Sequence, residues 1–426
     1  MKTIFLYIYI TFTGMIVYGC ALSKKGNAVS VNAGNHSTSD TFLTQLLTQH
    51  QQYFDTLLKQ NDTWQIQIVY TRIDRNRRNK PRFTHYYFNT DRQYYFYPAS
   101  TVKLPVAALA LQRLHELKVP HLNKFSTMIT EKESSAQTAV YNDPTAEDGR
   151  PNVAHYIKKI FLVSDNDAFN RLYEFLGQEY INNTLQKMGW DSVQILHRLN
   201  MTHLSEEENR RANPVAFYDT DAKLLYRKPA LRSNLVYQPR SNRLGKGYYN
   251  SDSLIHEPFD FSKKNRLPLP DLHDMLLRLI FPKALPKKQR FRLKKGDYKL
   301  LYKDMSMLPR ESRFPQYDST YNDAYVKFVF YGRHDSVEPN ILIYNKEGDA
   351  YGFLTDAAYI INTKNGVEFL LSATINCNSN TGIYNYDKND YDAVGFPFLK
   401  NLGRTIYQYE LSRPRKHKPN FKAVLE

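Results

Sequence analysis

Apolar positions along the chain fall into two periods. From residue 41 to 60, "TFLTQLLTQHQQYFDTLLKQ" repeats apolar side chains at helical spacing, and Asp40 stands where it can cap the helix. "WQIQIVYTRI" (64–73) alternates apolar and polar residues. "RFTHYYFN" (82–89) follows across a basic turn, "DRNRRNKP", so the two read as paired strands. Next comes "YPASTVKLPVAALALQRL" (97–114), helical and apolar almost all round. Near the C-terminus "ILIY", "DAAYIIN" and "VEFLLSATI" read as three strands, the last two joined by the turn "TKNG". "FPFLKNLGRTIYQYELSR" (396–413) reads as a helix packing back on that sheet, and residues 414–426 as a loose basic tail.

The N-terminus changes the picture. Lys2 and an apolar run from Ile4 to Val17 match an export signal, too short for a comfortable membrane span. The run ends in Val17-Tyr18-Gly19-Cys20, which resembles the lipobox of bacterial lipoproteins. That resemblance implies cleavage after residue 19, lipidation of Cys20 and a cell-envelope location, membrane-anchored and facing the periplasm. The Ser-, Asn- and Gly-rich stretch to residue 40 then reads as a flexible tether. The other cysteine, Cys377, closes a strand-like segment and reads as a packed residue, so no disulfide framework is expected. A formal net charge of +16 favours anionic partners.

Within the apolar helix, Ser100 and Lys103 need a reason. Ser100 by itself is a good N-cap. A lysine in the first turn opposes the helix dipole, however, and a spacing of three puts both on one face. The dipole and the apolar neighbours favour the neutral amine, which can take the Ser100 hydroxyl proton. Ser100 then becomes an activated nucleophile at a helix N-terminus, where developing negative charge is stabilised.

A second element follows. "FLVSDNDAFNRLYEFLG" places Ser164-Asp165-Asn166 between an apolar run and an amphipathic helix. S-x-x-K followed by S-D-N is the signature of class A β-lactamases and penicillin-binding proteins, and the chain resembles that family from about residue 41 to 413. The third family motif, K-T-G or K-S-G, has its best match in Lys346-Glu347-Gly348. The resemblance implies an α+β fold: an antiparallel sheet flanked by N- and C-terminal helices, plus an all-helical subdomain opening at Ser100. It implies Ser100, Lys103, Ser164 and Lys346 as catalytic residues. Asn166 would hold Lys103 and the substrate amide, and Gly348 and Asp349 would line the substrate strand. The backbone N–H groups of Ser100 and Asp349 would form the oxyanion hole.

Three departures from the family are visible. Glu347 replaces a hydroxyl residue that helps bind a substrate carboxylate. In "ILHRLNMTHLSEEENRRANP", Leu199-Asn200 match the end of the E-x-x-L-N pattern that carries the deacylating glutamate, but Leu196 stands at the glutamate position. Glu206, Glu207 and Glu208 lie nearby, though Ser205 and Glu208 have capping-box spacing. Finally, residues 225–335 form a long Tyr-, Arg- and Lys-rich insertion between the helical half (100–225) and the C-terminal strands and helix (336–413). Within it, "LPLPDLHDMLLRLIF" fits a helix that family members carry.

The sequence has no G-x-S-x-G, H-E-x-x-H or H-x-H-x-D-H, and no Walker or dinucleotide glycine loop. No metal, cofactor or nucleic acid is expected, and a monomer is. The first functional expectation is hydrolysis of β-lactams through an acyl-enzyme on Ser100. The alternatives are a D-Ala-D-Ala carboxypeptidase or transpeptidase acting on peptidoglycan-derived substrates, another amide or ester hydrolase, or a non-catalytic envelope-binding lipoprotein.

Overall fold

The structure is a computed structural model that describes residues 39–250, 252–378, 382–384 and 389–425. The export signal, Cys20 and most of the tether lie outside the described residues. The centre is a five-stranded antiparallel sheet of β1 (Gln67–Arg75), β2 (Pro81–Phe88), β3 (Ile341–Ala350), β4 (Phe353–Asn362) and β5 (Val367–Asn376), in the order β3-β4-β5-β1-β2. The two ends of the fold thus meet through β1 and β5, with Tyr70 opposite Leu371.

Period-2 alternation divides the strands between two cores. Ile68, Tyr70 and Leu371 enter one core with Leu43, Phe54, Leu399 and Ile406, which come from the terminal helices α1 (Thr41–Thr48), α2 (Gln51–Lys59) and α9 (Phe396–Ser412). Val69, Ile73 and Leu370 enter the other with the helical half. That half contains α3 (Lys103–Glu116), α4 (Val153–Val163), α5 (Asn166–Leu176) and α6 (Gln178–Lys187). β4 and β5 are buried along their whole length, as central strands covered on both faces must be.

Several expectations change in detail. The first helix is broken at Gln49–His50, and Asp40 does not cap it. The Asp40 carboxylate accepts from the backbone N–H of Tyr87 at 2.5 Å, because an unpaired N–H of the edge strand β2 claims it. The insertion packs into the domain. Its α7 (Leu269–Ile280) and α8 (Lys295–Ser306) contribute Leu272, Met275, Leu276, Leu301 and Met305 to the core over the sheet. The basic tail is docked: Phe421 is buried, Asn420 exchanges two hydrogen bonds with Asn79, and Arg415 pairs with the buried Glu410. An apolar side chain and specific polar partners override a basic composition there. Cys377 is buried, and burial pushes its thiol well above the ordinary range. Among the described residues, no helix is long and apolar enough to cross a membrane.

Candidate active site

Ser100 lies in a 3₁₀ turn (Ala99–Val102) that runs directly into α3, so Lys103 opens the α-helix proper. The turn is entered through Ala99 at φ 45°, a left-handed conformation that costs a non-glycine residue about 1–2 kcal/mol. A second such residue, Ser164 at φ 60°, ends α4, and Asp165 caps α5 by accepting from Ala168 N at 2.7 Å. Two backbone kinks therefore aim the two serines at one point. Strand β3 supplies the third side. A Cβ on Gly348 would sit 2.8 Å from Ser100 N and 2.7 Å from Pro98 O, so only glycine lets β3 approach the Ser100 turn this closely.

The contacts around Lys103 suit a neutral amine, the form that its burial favours. The side chain is completely buried, and its Nζ donates to Ser164 O at 2.5 Å and to Asn166 Oδ1 at 2.8 Å. A neutral amine has two N–H donors and one lone pair. Ser100 Oγ is the third contact, 2.7 Å away; in the neutral form both N–H donors go to the carbonyl acceptors and the lone pair faces the Ser100 hydroxyl. Burial first, and the positive charge of Lys346 second, hold the Lys103 ammonium well below the ordinary lysine range. Ser164 Oγ is 3.2 Å from Lys103 Nζ and accepts from Lys346 Nζ at 2.9 Å, which joins the two lysines through one hydroxyl.

Glu347, the departure at the third motif, is fully engaged. Lys346 Nζ donates to its Oε2 at 2.6 Å, and both side chains are buried. Burial alone would raise the Glu347 carboxyl. The charge of Lys346 and hydrogen bonds from Lys346 and Ser164 outweigh it and hold the group below the usual glutamate range. Asp349, two residues on and so on the same face of β3, is raised by burial, with Arg333 opposing.

From Ser100 a cavity of about 610 Å³ extends along residues 196–201, 236–240 and 262–264; Ser164 and Lys346 do not line it. Leu196 is on its wall. The loop is anchored by Arg198, which pairs with Glu174 and donates to Arg211 O at 2.5 Å; Asn170 bridges Leu199 N and O. His197 beside it stacks on Tyr97. Its Nδ1 faces the Arg198 carbonyl at 2.6 Å and its Nε2 faces the Asn265 N–H at 3.2 Å. Those partners fix the Nδ1–H tautomer and occupy both nitrogens. Glu208 closes a capping box with Ser205, Glu207 pairs with Arg232, and Glu206 pairs with Lys263 at 2.6 Å.

The structure thus brings together Ser100, Lys103, Ser164, Asn166, Lys346 and Gly348, with Asp349 at the cleft edge. The sequence reading missed the layer beneath. Lys327 is buried against Met305 O, Ile343 O and Asn345 Oδ1, and burial lowers it to about 8. Asp356, raised by burial to about 7, accepts from Asn345 and Val329. Polar residues inside the apolar strands "ILIYN" and "FLTDAAYIIN" were the available signal.

Fold and site together define a serine-hydrolase fold with an S-x-x-K turn at its cleft. The chain belongs to the Beta-lactamase enzyme family, whose model matches residues 49–409. Solved structures that resemble it include a beta lactamase from Xanthomonas campestris pv. campestris (14% identity, TM-score 0.46, covering 86% of this chain and 97% of that one). Others are the beta-lactamase from Sphaerobacter thermophilus (12%, 0.47, 89% and 100%) and PBP-A (14%, 0.47, 86% and 96%). No curated protein matches the sequence.

Proposed function

We propose that the protein is an envelope serine enzyme that forms a slowly released acyl-enzyme on Ser100, acting on amides in the manner of penicillin-binding proteins. The observation that carries this reading is the 2.7 Å contact between Ser100 Oγ and a completely buried Lys103 that also contacts Ser164 O and Asn166 Oδ1. Ser100 Oγ attacks the carbonyl carbon as its proton passes to Lys103 Nζ. The C–N bond then breaks as a proton passes through Ser164 to the leaving nitrogen, and the acyl group stays on Ser100. Water or a second amine completes the cycle and restores the hydroxyl. The release step lacks equipment: Leu196 holds the place of a carboxylate, and His197 has no free nitrogen.

Stopped-flow mixing with a chromogenic cephalosporin, followed by intact mass spectrometry, tests the reading. A burst with one acyl adduct, absent in Ser100→Ala, is expected. Failure to acylate with every β-lactam and ester tried would favour a non-catalytic envelope protein. The β-lactam-hydrolysing reading keeps one specific support, Glu206 on the cleft wall. Fast linear turnover lost in Glu206→Gln would establish it. The same proposal puts the enzyme at a membrane through lipidated Cys20; detergent partitioning that survives Cys20→Ser would remove that part.

A further inference from the structure

Of the five lysines and arginines that line the cavity, two have an acid beside them. Arg198 is paired with Glu174, and Lys263 with Glu206. Arg210, Arg240 and Lys264 form no ion pair among the described residues; Arg210 is turned to the Ser233 and Leu235 carbonyls, while Arg240 and Lys264, both partly buried, come from the insertion. Arg240 donates to Asn242 Oδ1 at 2.9 Å and to the Lys264 carbonyl at 2.5 Å, and lies over the Tyr95 ring. These neutral acceptors fix the guanidinium, and the acid that acts on it, Asp260, forms no ion pair with it. Lys264 Nζ sits between the rings of Phe259 and Tyr351, 5.9 and 5.8 Å from their centroids. Burial lowers both groups from their ordinary values, the sign of charge held without full hydration.

Their position decides what they face. The leaving nitrogen must lie toward Ser164, which returns its proton. The cavity lined by Arg240 and Lys264 runs from Ser100 along the other walls and includes neither Ser164 nor Lys346. In the proposed mechanism this is the side left to the acyl part of the substrate. We infer that Arg240 and Lys264 form an anion subsite for the acyl moiety, and that the acyl donor carries a carboxylate several bonds from its reactive carbonyl. A carboxylate there meets two cations that no ion pair occupies, and charge-assisted hydrogen bonds from them are the strong kind.

The inference rests on the acylation proposed above, and the test separates the two. Two penicillins are compared that differ only in the acyl side chain, benzyl against α-carboxybenzyl. The second-order rate constant of acylation should favour the carboxylated compound by about tenfold, the worth of one charge-assisted hydrogen bond in a half-buried site. The ratio should shrink with added salt. It should fall toward one in Lys264→Met and in Arg240→Gln; Lys264→Met is the safer variant because Arg240 also ties down a backbone carbonyl. A ratio of one in the wild type, with both compounds acylating, overturns the subsite and leaves Ser100 as the nucleophile. If neither compound acylates, calorimetry of the same pair on Ser100→Ala decides. Tighter binding of the carboxylated compound, lost in Ser100→Ala/Lys264→Met, retains the subsite, and equal binding removes it.

Discussion

Lys346 Nζ lies 2.6 Å from Glu347 Oε2 and 2.9 Å from Ser164 Oγ, with both side chains of the ion pair buried. The one lysine that β3 points at the serine pair is thereby neutralised by its own neighbour in sequence. A substrate anion on the leaving-group side would meet a compensated pair with Asp349 beside it. Glu347→Ser should release that charge and raise acylation by benzylpenicillin, whose only carboxylate lies on this side, by about tenfold. The same change leaves a buried ammonium unpaired, so urea unfolding should report a loss of about 3–5 kcal/mol. Faster acylation with lower stability is the expected signature. Slower acylation would mean that Glu347 itself serves the reaction.

The base should also reveal itself in the pH profile. Lys103 works when neutral, so the acylation rate should rise with pH through its depressed value and then level. Lys346 is part of what depresses it. In Lys346→Ala that repulsion is gone and Glu347 remains, and both changes favour the charged amine. The rising limb must therefore move to higher pH. Lys103→Ala should lower the plateau by about 10²–10⁴-fold, the usual range for removing a general base. A limb that stays in place in Lys346→Ala would assign the titration to another group.

How much of this was legible in the chain depends on distance along it. Ser100 and Lys103 are near neighbours in sequence, and helical geometry alone puts them together. Ser164 and Lys346 lie far along the chain from that turn, and no local geometry links them to it. They could be found only because Ser-Asp-Asn and Lys-x-Gly are short local patterns in a fixed order. The sheet was readable from period-2 alternation, which its buried faces enforce. The Glu347–Lys346 pair, the Lys327–Asp356 layer and the placing of Arg240 and Lys264 outside any ion pair were not, because burial and partnership are set by segments far away in sequence. Composition misled at the tail, where Phe421 decides the packing against a run of basic residues.

The loop beside the cleft should be the weak point of the site. Arg198 and Glu174 are both buried, and Glu174 Oε2 also accepts from Asn213 N at 2.6 Å, so this pair fastens residues 196–213 to α5. Glu174→Gln leaves the guanidinium without its counter-charge and should cost about 3–5 kcal/mol in denaturant unfolding. Acylation should weaken as well, because residues 196–200 form the cleft wall. Unchanged stability would mean that backbone carbonyls alone satisfy Arg198.

Release of the acyl group is the step that a single substitution should transform. Leu196 occupies the cleft wall, its backbone held on both sides: its N–H donates to Asn265 Oδ1 at 2.7 Å and its carbonyl accepts from Gln178 at 2.6 Å and Tyr173 at 3.1 Å. A glutamate there would inherit a fixed backbone and project a carboxylate into the cavity that leads to Ser100. Its general-base role requires only that it reach a water near the ester carbonyl. Leu196→Glu should therefore leave the burst in place but raise the steady-state rate after it by about 10²–10⁴-fold, the range such a base supplies. Mass spectra taken during turnover should lose the acyl adduct that accumulates in the wild type. Leu196→Gln, which matches glutamate in shape but lacks its charge, should behave like the wild type, which separates base catalysis from mere opening of the wall. If Leu196→Glu and Leu196→Gln release the acyl group equally fast, water access limits deacylation and the missing carboxylate does not.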